Sequence, residues 1–307
     1  MGVGSVRATG VLLRPMDHRR WTPCAALTPF VEEYGLREDR LASVRIYNPL
    51  PARSDCFLQF YLADRYQVVT VADGTVHLAP QCVLVGPHTR RREDLIWTGH
   101  LKMFTIRFSA VGFRALFGIP AHVIRDYAGS AEAVLGDAAL ELEGRLAESC
   151  DAELGVVAER FLLKRLAQSR AATDGGIGAR MVRMMRAQGG GAAVADVAAR
   201  YGLSVRQVER MFQEQVGTTP KVFGRLERLK LAMGVGSADA RPDWAGVAAA
   251  AGYFDQSHMV REFQALNGAT PVEFAELGRR AREYRQTEGG AGDVAFVLSG
   301  GGDAAVA

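Results

Sequence analysis

Two segments of the chain carry the same order of polar and apolar residues, with arginine, glutamine and serine placed to contact nucleic acid. The first runs from Gly202 to Pro220 and the second from Gly252 to Pro271. In both, a Phe lies eight residues before the Pro and an Arg lies two residues before that Phe. The second copy has one extra residue between its Gly and its Arg. We interpret the repeat as two helix-turn-helix units, whose second helices enter the major groove of DNA.

Each copy predicts a supporting helix, a turn and a reading helix, so that the two units span residues 193–214 and 244–266. Gly202 and Gly252 suit the left-handed conformation that ends a helix. Ser204 and Asp255 suit the cap that begins the next one. The residues expected to form the structural core of the units are Ala198, Gly202, Val208, Phe212, Pro220, Gly252, Met259, Phe263 and Pro271.

The other face of each reading helix is expected to face outward, with side chains that suit base recognition. Arginine contacts guanine through two hydrogen bonds, and glutamine contacts adenine in the same way. Residues 220–233 predict a connecting helix that sets the reading helices about 34 Å, or one DNA turn, apart. The expected outward residues are Arg206, Glu209, Arg210 and Gln213, then Ser257, Val260, Arg261 and Gln264, flanked by Gln256 and His258. The expected phosphate contacts are Ser204, Lys221, Arg225 and Arg228.

From about residue 179 to 282 the chain resembles the AraC/XylS family of bacterial transcriptional regulators. The first unit resembles it through Ala198, Gly202, Ser204, Val208, Arg210, Phe212, Gly217 and Pro220. The second does so through Gly252, Asp255, Ser257, His258, Arg261, Phe263, Gly268, Thr270 and Pro271. It departs from the pattern at Met259, where an aromatic residue is common, and at Ala275, where the family often has Arg.

The resemblance implies a sequence-specific regulator that binds two adjacent major grooves of double-stranded DNA in the cytoplasm, with RNA polymerase as a further partner. The first unit usually reads sequence more strongly than the second. The family's base-contacting positions fall on Arg206, Glu209 and Arg210 in the first unit, and on Gln256, Ser257, His258 and Arg261 in the second.

The N-terminal half has a different pattern, in which short apolar runs alternate with turn signals. Strands are expected at 67–71, 75–78, 82–85 and 101–108, which favours a small barrel or sandwich. A short helix is expected at 30–34, and longer helices at 131–147 and 152–168. This half resembles the cupin-like sensing domains that precede such modules, where they bind a small effector or mediate dimerisation. The predicted fold class is therefore α+β, with a β-rich, cupin-like N-terminal domain and an all-α C-terminal domain.

The expected domain boundaries follow composition and charge. Residues 1–168 form the sensing domain, with an irregular arm at 1–20. Residues 169–178 form a linker, 179–286 the DNA-binding domain and 287–307 a disordered tail. Residues 179–286 contain 16 basic and 11 acidic residues, and the remainder contains 21 basic and 23 acidic residues. The positive excess therefore lies on the repeat, where it favours contact with phosphates.

The residues that could support other functions are scattered. His77, His88 and His100 lack the close spacing of a metal-binding cupin, and no Cys-x-x-Cys pair occurs. We therefore expect no metal, no cofactor, no catalytic residue and no enzymatic activity. There is no apolar run of the roughly 18 residues that a membrane span needs, so no membrane partner is expected.

Two other functions and one assembly stay open. The chain could be a cupin-type metalloenzyme with a helical targeting module, or a helical protein-interaction module that does not bind DNA. The apolar stripe of residues 152–168 could pack against its own domain or against a second copy, and we favour a homodimer. The sequence identifies neither the effector nor the promoter.

Overall fold

The computed structural model describes residues 17–41, 45–169, 175–237, 242–276 and 294–296. Most of the expected arm, linker and tail therefore lies outside the described residues. Three parts of these segments differ from expectation, since residues 17–20 and 294–296 lie in strands and residues 175–178 begin a helix. The strands are β1 Asp17–Trp21, β2 Val31–Arg40, β3 Arg45–Pro49, β4 Cys56–Tyr61, β5 Gln67–Thr70, β6 Val76–Leu78, β7 Cys82–Val85, β8 Glu93–Trp97, β9 His100–Phe108, β10 Ala128–Ser130 and β11 Val294–Phe296.

The strands form two sheets that face each other. The six-stranded sheet has the order β1-β2-β9-β4-β7-β10, and the five-stranded sheet has the order β11-β3-β8-β5-β6. Strand β11 pairs parallel with β3, whereas the neighbouring pair β3 and β8 is antiparallel. The helix expected at 30–34 is wrong, because Val31 begins β2 and pairs with Phe108 of β9.

Strand β4 shows why the six-stranded sheet lies in the middle of the N-terminal region. All of its residues are buried, because both of its faces are covered. Leu58 and Phe60 pack with the helices on one side, whereas Phe57 and Tyr61 pack between the two sheets. A strand buried on both faces reads as a nearly continuous apolar run, and β4 fits this pattern except at the buried polar residue Gln59.

Helices cover the outer face of this sheet. The helix expected at 131–147 is broken at Gly136, whose φ of 57° ends one helix before the next begins. A short 3-10 helix at Ala121–Ile124 lies between the helix Gly112–Phe117 and β10. These helices are α1 Gly112–Phe117, α2 Ala131–Leu135, α3 Asp137–Ala147 and α4 Leu154–Gln168.

The apolar stripe of α4 is used within the chain. Leu154, Phe161 and Leu162 are buried in the core that α4 shares with the six-stranded sheet. This packing removes the sequence argument for a homodimer, since the stripe already has a partner.

The C-terminal region is helical, as expected, and its helices form two supporting-and-reading pairs joined by one long helix. Its helices are α5 Gly175–Ala187, α6 Val194–Arg200, α7 Val205–Gln215, α8 Pro220–Ser237, α9 Trp244–Ala250 and α10 Gln256–Asn267. The fold is therefore α+β, with a β-rich N-terminal region and a helical C-terminal region. None of the described helices is both long enough and apolar enough to cross a membrane.

Candidate DNA interface

The first reading helix, α7, begins at a well-defined cap. Gly202 has a φ of 65°, and this turn lets Leu203 N donate to Ala198 O at 2.9 Å. Ser204 Oγ accepts from Gln207 N at 3.3 Å, and Gln207 Oε1 accepts from Ser204 N at 2.8 Å. This reciprocal capping box fixes the first turn of α7, and the hydrogen bond of Leu203 to Ala198 ties that turn to the supporting helix α6.

The two faces of α7 have different environments. Val208 and Phe212 are buried, and the Phe212 ring packs edge-on against Phe223 of α8 with 5.7 Å between centroids. This packing anchors α7 to the helices behind it. The opposite face carries exposed side chains, which include Arg206, Glu209, Arg210 and Gln213.

The second unit repeats this geometry. Gly252 has a φ of 75°, and Tyr253 N donates to Ala248 O at 2.9 Å, as Leu203 does in the first unit. Asp255 Oδ1 accepts from His258 N at 2.6 Å and caps α10. The sequence repeat is therefore also a repeat of turn and cap geometry.

Helix α10 also has a buried and an exposed face. Met259 and Phe263 are buried, and Phe263 packs edge-on against Phe274 at 5.7 Å between centroids. Its outer face exposes Gln256, Ser257, Arg261 and Gln264. In both helices, most of the residues expected to contact bases thus lie on an exposed face.

His258 differs from the other expected base contacts. Its ring packs edge-on against buried Tyr253, 5.4 Å between centroids, and its Nε2 lies 4.0 Å from a carboxylate oxygen of Glu262. The imidazole therefore also supports the turn before α10, and its exposure is intermediate.

The expected phosphate contacts fall into different classes. Lys221 is exposed at the start of α8, whereas Arg225 donates to Glu262 at 2.8 Å. Arg228 is only 15% exposed, pairs with Glu262 at 3.3 Å and lies over the Tyr253 ring at 5.6 Å. These contacts hold α8 to α10, and the expected phosphate contact of Arg228 stays a prediction that requires its guanidinium to leave Glu262.

Ser204 is also engaged, because its hydroxyl takes part in the capping box described above. The backbone N–H groups of the first helical turn have no acceptor within the helix, and such groups suit a phosphate. The structure therefore favours the backbone at this turn over the Ser204 hydroxyl as the phosphate donor.

The residues expected to form the core of the two units divide by environment. Gly202 and Gly252 are exposed at the turns, where their positive φ is needed. The others are buried and hold the supporting, reading and connecting helices together: Ala198, Val208, Phe212, Pro220, Met259, Phe263 and Pro271.

A cavity between the two sheets is a site that the sequence did not indicate. Its volume is about 290 Å³, and it opens toward α8 of the C-terminal region. Its apolar walls include Phe57, Leu95 and Met103. The charged groups on its lining include Arg53, Asp55, Arg107 and Lys230.

One carboxylate in this cavity faces three cations. Asp55 accepts from Lys230 Nζ at 3.2 Å and from Arg107 Nη1 at 2.8 Å. Burial alone would raise the pKa of Asp55, but Lys230, Arg107 and Arg53 together lower that pKa to about 2. Asp55 is therefore ionised at neutral pH, and Arg107 divides its positive charge between Asp55 and Glu33, whose Oε1 accepts from Arg107 Nε at 3.3 Å.

Arg53 is the least satisfied of these cations. Its Nε donates to Pro51 O at 3.4 Å and its guanidinium lies over the Phe57 ring at 5.6 Å. Its Nη2 is buried and has no hydrogen-bond partner among the described residues. Burial lowers the pKa of Arg53, and a buried donor without an acceptor, such as this Nη2, is costly.

Residues 52–55 contact both the cavity and the helical region. Ala52 N donates to Asn267 Oδ1 at 2.9 Å, and Ser54 Oγ donates to Glu227 Oε1 at 2.6 Å. Between and after them, Arg53 and Asp55 line the cavity. One short segment thus joins the interior of the β-rich region to α8 and to the last residue of α10.

The histidines considered as metal ligands lie in three separate environments. His77 is exposed, His88 is buried with its pKa lowered to about 4, chiefly by burial, and His100 Nε2 lies 2.7 Å from Glu38. Within the described residues, no three His, Cys, Asp or Glu side chains come together as a metal site would need.

Comparison with known protein families identifies a domain in the C-terminal region. Residues 197–277 match the family model described as a helix-turn-helix domain, which is of the AraC type. The match covers both turns, both reading helices and the connecting helix α8. No curated protein matches the chain.

Several solved structures are similar to parts of the chain. ToxT from Vibrio cholerae O395 is 13% identical, with 79% of this chain and 97% of that chain covered and a TM-score of 0.45. A probable AraC family transcriptional regulator from Rhodopseudomonas palustris CGA009 is 23% identical over 31% of this chain and 91% of its own, with a TM-score of 0.28. A Cupin 2 conserved barrel domain protein from Salinispora arenicola CNS-205 is 16% identical over 36% and 90%, with a TM-score of 0.23.

Proposed function

We propose that this chain, whose residues 197–277 match a helix-turn-helix family model, is a transcription regulator that binds DNA through two reading helices and is controlled by its N-terminal region. The observation that carries the proposal is the pair of capped reading helices with buried inner and exposed outer faces. In this proposal α7 and α10 enter successive major grooves on one face of the duplex.

The base contacts are assigned by side-chain chemistry. Arg206 and Arg210 suit guanine, Glu209 suits the amino group of cytosine, and Gln256 suits adenine. Arg261 makes a further contact from α10. Ser257 and His258 discriminate bases less sharply, so the block of DNA read by α7 is the more constrained one.

Phosphate contacts position the reading helices without specifying sequence. Lys221 is the clearest candidate, because it is exposed at the N-terminal end of α8. Arg225 remains a candidate once its contact with Glu262 is exchanged for a phosphate. The backbone N–H groups at the start of α7 add a third contact.

Capture of genomic fragments by the purified protein tests DNA binding. The proposal expects enrichment of a limited set of fragments that share one sequence motif. Enrichment of none at low salt would contradict it and favour the helical protein-interaction module. A stoichiometric transition metal in the purified protein would favour the cupin-type metalloenzyme.

The N-terminal region is proposed to bind a small effector in the cavity between the sheets. The half-buried Arg53, whose buried Nη2 has no hydrogen-bond partner among the described residues, supports an effector with an anionic group, and the apolar walls support an apolar body. Such a ligand would give Arg53 the counter-charge that Asp55 shares with Lys230 and Arg107.

The effector would act through residues 52–55, since these contact both the cavity and the helical region. Changes at Arg53 or Asp55 alter the positions of Ala52 and Ser54, and hence their hydrogen bonds to Asn267 and Glu227. Because α8 joins the two units, a shift of α8 changes the spacing of the reading helices.

The proposal also covers the location of the protein, its protein partners and its oligomeric state. The protein acts in the cytoplasm on chromosomal DNA, and its bound state contacts RNA polymerase. A homodimer remains a proposal without support from α4, whose apolar stripe is already buried. No enzymatic activity is assigned.

A further inference from the structure

The turn of the second helix-turn-helix unit is one residue longer than that of the first, and the structure shows where the extra residue lies. Leu203 and Tyr253 occupy matching positions, since each donates its N–H to the supporting helix at 2.9 Å. Ser204 and Asp255 are the matching caps. In the first unit the cap follows at once, whereas in the second Phe254 stands between Tyr253 and the cap.

Phe254 is 92% exposed, the highest value among the exposed large hydrophobic residues of the described chain. The next highest is Val272 at 57%. The phenyl ring therefore contributes almost nothing to the core of this unit. Single exposed apolar side chains are common on protein surfaces, so exposure alone does not indicate a partner and the position of the ring must do so.

The position of Phe254 is nevertheless well defined. It lies between Tyr253, which is 5% exposed, and Asp255, whose side chain caps α10. Its own N–H points to His258 Nδ1 at 3.5 Å. A fixed backbone presents the ring beside the first turn of α10, next to Gln256 and Ser257.

The position of Phe254 at the start of a reading helix limits which groups of DNA its ring can contact. The N-terminal residues of a reading helix contact base edges in the major groove. The apolar group that the major groove offers is the C5-methyl group of thymine, and phenylalanine is among the residues that contact it. Wedge residues that unstack bases enter from the minor groove, which α10 would not face.

We propose that Phe254 contacts a thymine methyl group in the DNA block read by α10 and so contributes to specificity there. This inference rests on the proposed function. It adds an apolar contact to a helix whose other exposed reading residues are polar, and it gives the residue inserted into the second unit a role.

Deoxyuridine in place of thymine tests the contact, because the two bases differ only in that methyl group. The probes are duplexes of the sequence captured by the protein, each with deoxyuridine at one thymine of the α10 block. Wild-type protein should bind the duplex with deoxyuridine at the contacted thymine about three- to fivefold more weakly, the effect of one methyl group removed from an apolar contact. Phe254→Ala should bind thymine and deoxyuridine duplexes equally, and Phe254→Leu should keep part of the difference.

Two controls make the result specific. Deoxyuridine in the block read by α7 should affect wild-type and Phe254→Ala protein equally. The melting temperature of Phe254→Ala should match that of wild type, because the ring is exposed.

The outcomes that overturn the inference are distinct from failure of the proposed function. Phe254→Ala protein that still prefers thymine over deoxyuridine at every α10 position would overturn it, as would an α10 block without thymine. If wild-type protein bound no duplex at all, the proposed function itself would fail.

Discussion

At the scale of single residues, exposure and ion pairing distinguish arginines that the sequence treats alike. Arg206 and Arg210 are exposed on α7, whereas Arg228 is 15% exposed and pairs with Glu262. The helical period predicts which face each residue occupies, and this was sufficient for α7. It does not predict ion pairs between α8 and α10, because these depend on how two helices pack.

Arg210→Ala should weaken specific binding by about 1–3 kcal/mol and relax the preference at one base pair. The reason is that Arg210 is proposed to contact a base edge through two hydrogen bonds, and no other side chain on α7 would replace this bidentate contact. Binding of matched and single-mismatch duplexes measures both effects. Arg160→Ala, which removes an exposed arginine of α4, is the matched control and should leave binding unchanged. Equal losses on all duplexes would show that Arg210 contacts phosphate instead.

Lys221→Ala should affect DNA binding, whereas Arg228→Ala should affect the stability of the fold. Lys221→Ala should weaken binding to every sequence and reduce the slope of log affinity against log salt by about 1, with no change in melting temperature. Arg228→Ala should lower the melting temperature, because Glu262 loses a partner inside the helical region. If Arg228→Ala reduced the salt slope without affecting stability, our assignment of Arg228 to the internal ion pair would be wrong.

At the scale of elements, the turns and caps were predictable and the contacts between regions were not. Gly202 with Ser204, and Gly252 with Asp255, are local signals that act over a few residues. The hydrogen bonds of Ala52 to Asn267 and of Ser54 to Glu227 join residues 215 and 173 positions apart. No local pattern encodes them, so the segment 52–55 could not be identified from the sequence.

Contacts between distant residues also explain one wrong helix prediction in the N-terminal half, and a backbone conformation explains the other. The helix expected at 30–34 is a strand because β9 offers a long edge to which residues 31–40 pair. Tertiary pairing here outweighs local preference. The break at Gly136 depends on a positive φ that composition alone does not reveal.

The ion pairs of Asp55 should make the contact between the two regions sensitive to acid. The pKa of Asp55 is about 2 in the fold, below its ordinary value of 3.8. Its stabilisation is therefore present above pH 4 and is lost as the pH falls toward 2.

Melting temperatures of wild type and Asp55→Asn, measured from pH 6 downward, test this expectation. At pH 6 the variant should be less stable by about 2 kcal/mol, the order given by a pKa shift of this size. The difference should narrow as the pH falls below 4. Glu148→Gln, at an exposed carboxylate, should follow wild type throughout. A difference that stays constant with pH would exclude the ionised Asp55 as its cause.

At the scale of the whole molecule, the α+β organisation and the tandem units followed from the sequence, whereas the cavity did not. Its lining includes residues from β4, β8, β9 and α8, and only the fold brings them together. The reading faces of α7 and α10 are exposed, whereas segment 52–55 forms hydrogen bonds to α8 and to the last residue of α10. In the function proposed above, control of DNA binding acts through the spacing of the two helices.

An apolar carboxylate should stabilise the protein through Arg53. Benzoate and octanoate, each compared with benzyl alcohol and octanol, are suitable probes in a thermal shift assay. A ligand that binds only the folded state raises the melting temperature, so the carboxylates should do so and the alcohols should not. Arg53→Gln should abolish the effect, and Arg160→Gln should preserve it. Equal stabilisation by acids and alcohols would contradict an anion site at Arg53.

The central claim is that two reading helices on one connector dock in successive major grooves. Selection of bound sequences from a random duplex library tests it most directly. The account predicts a motif of two short blocks whose centres lie about one helical turn apart, roughly 34 Å. The block assigned to α7 should be the more constrained and should contain guanine, and Arg210→Ala should relax that block alone. A motif with a single block, or two blocks half a turn apart, would contradict the account.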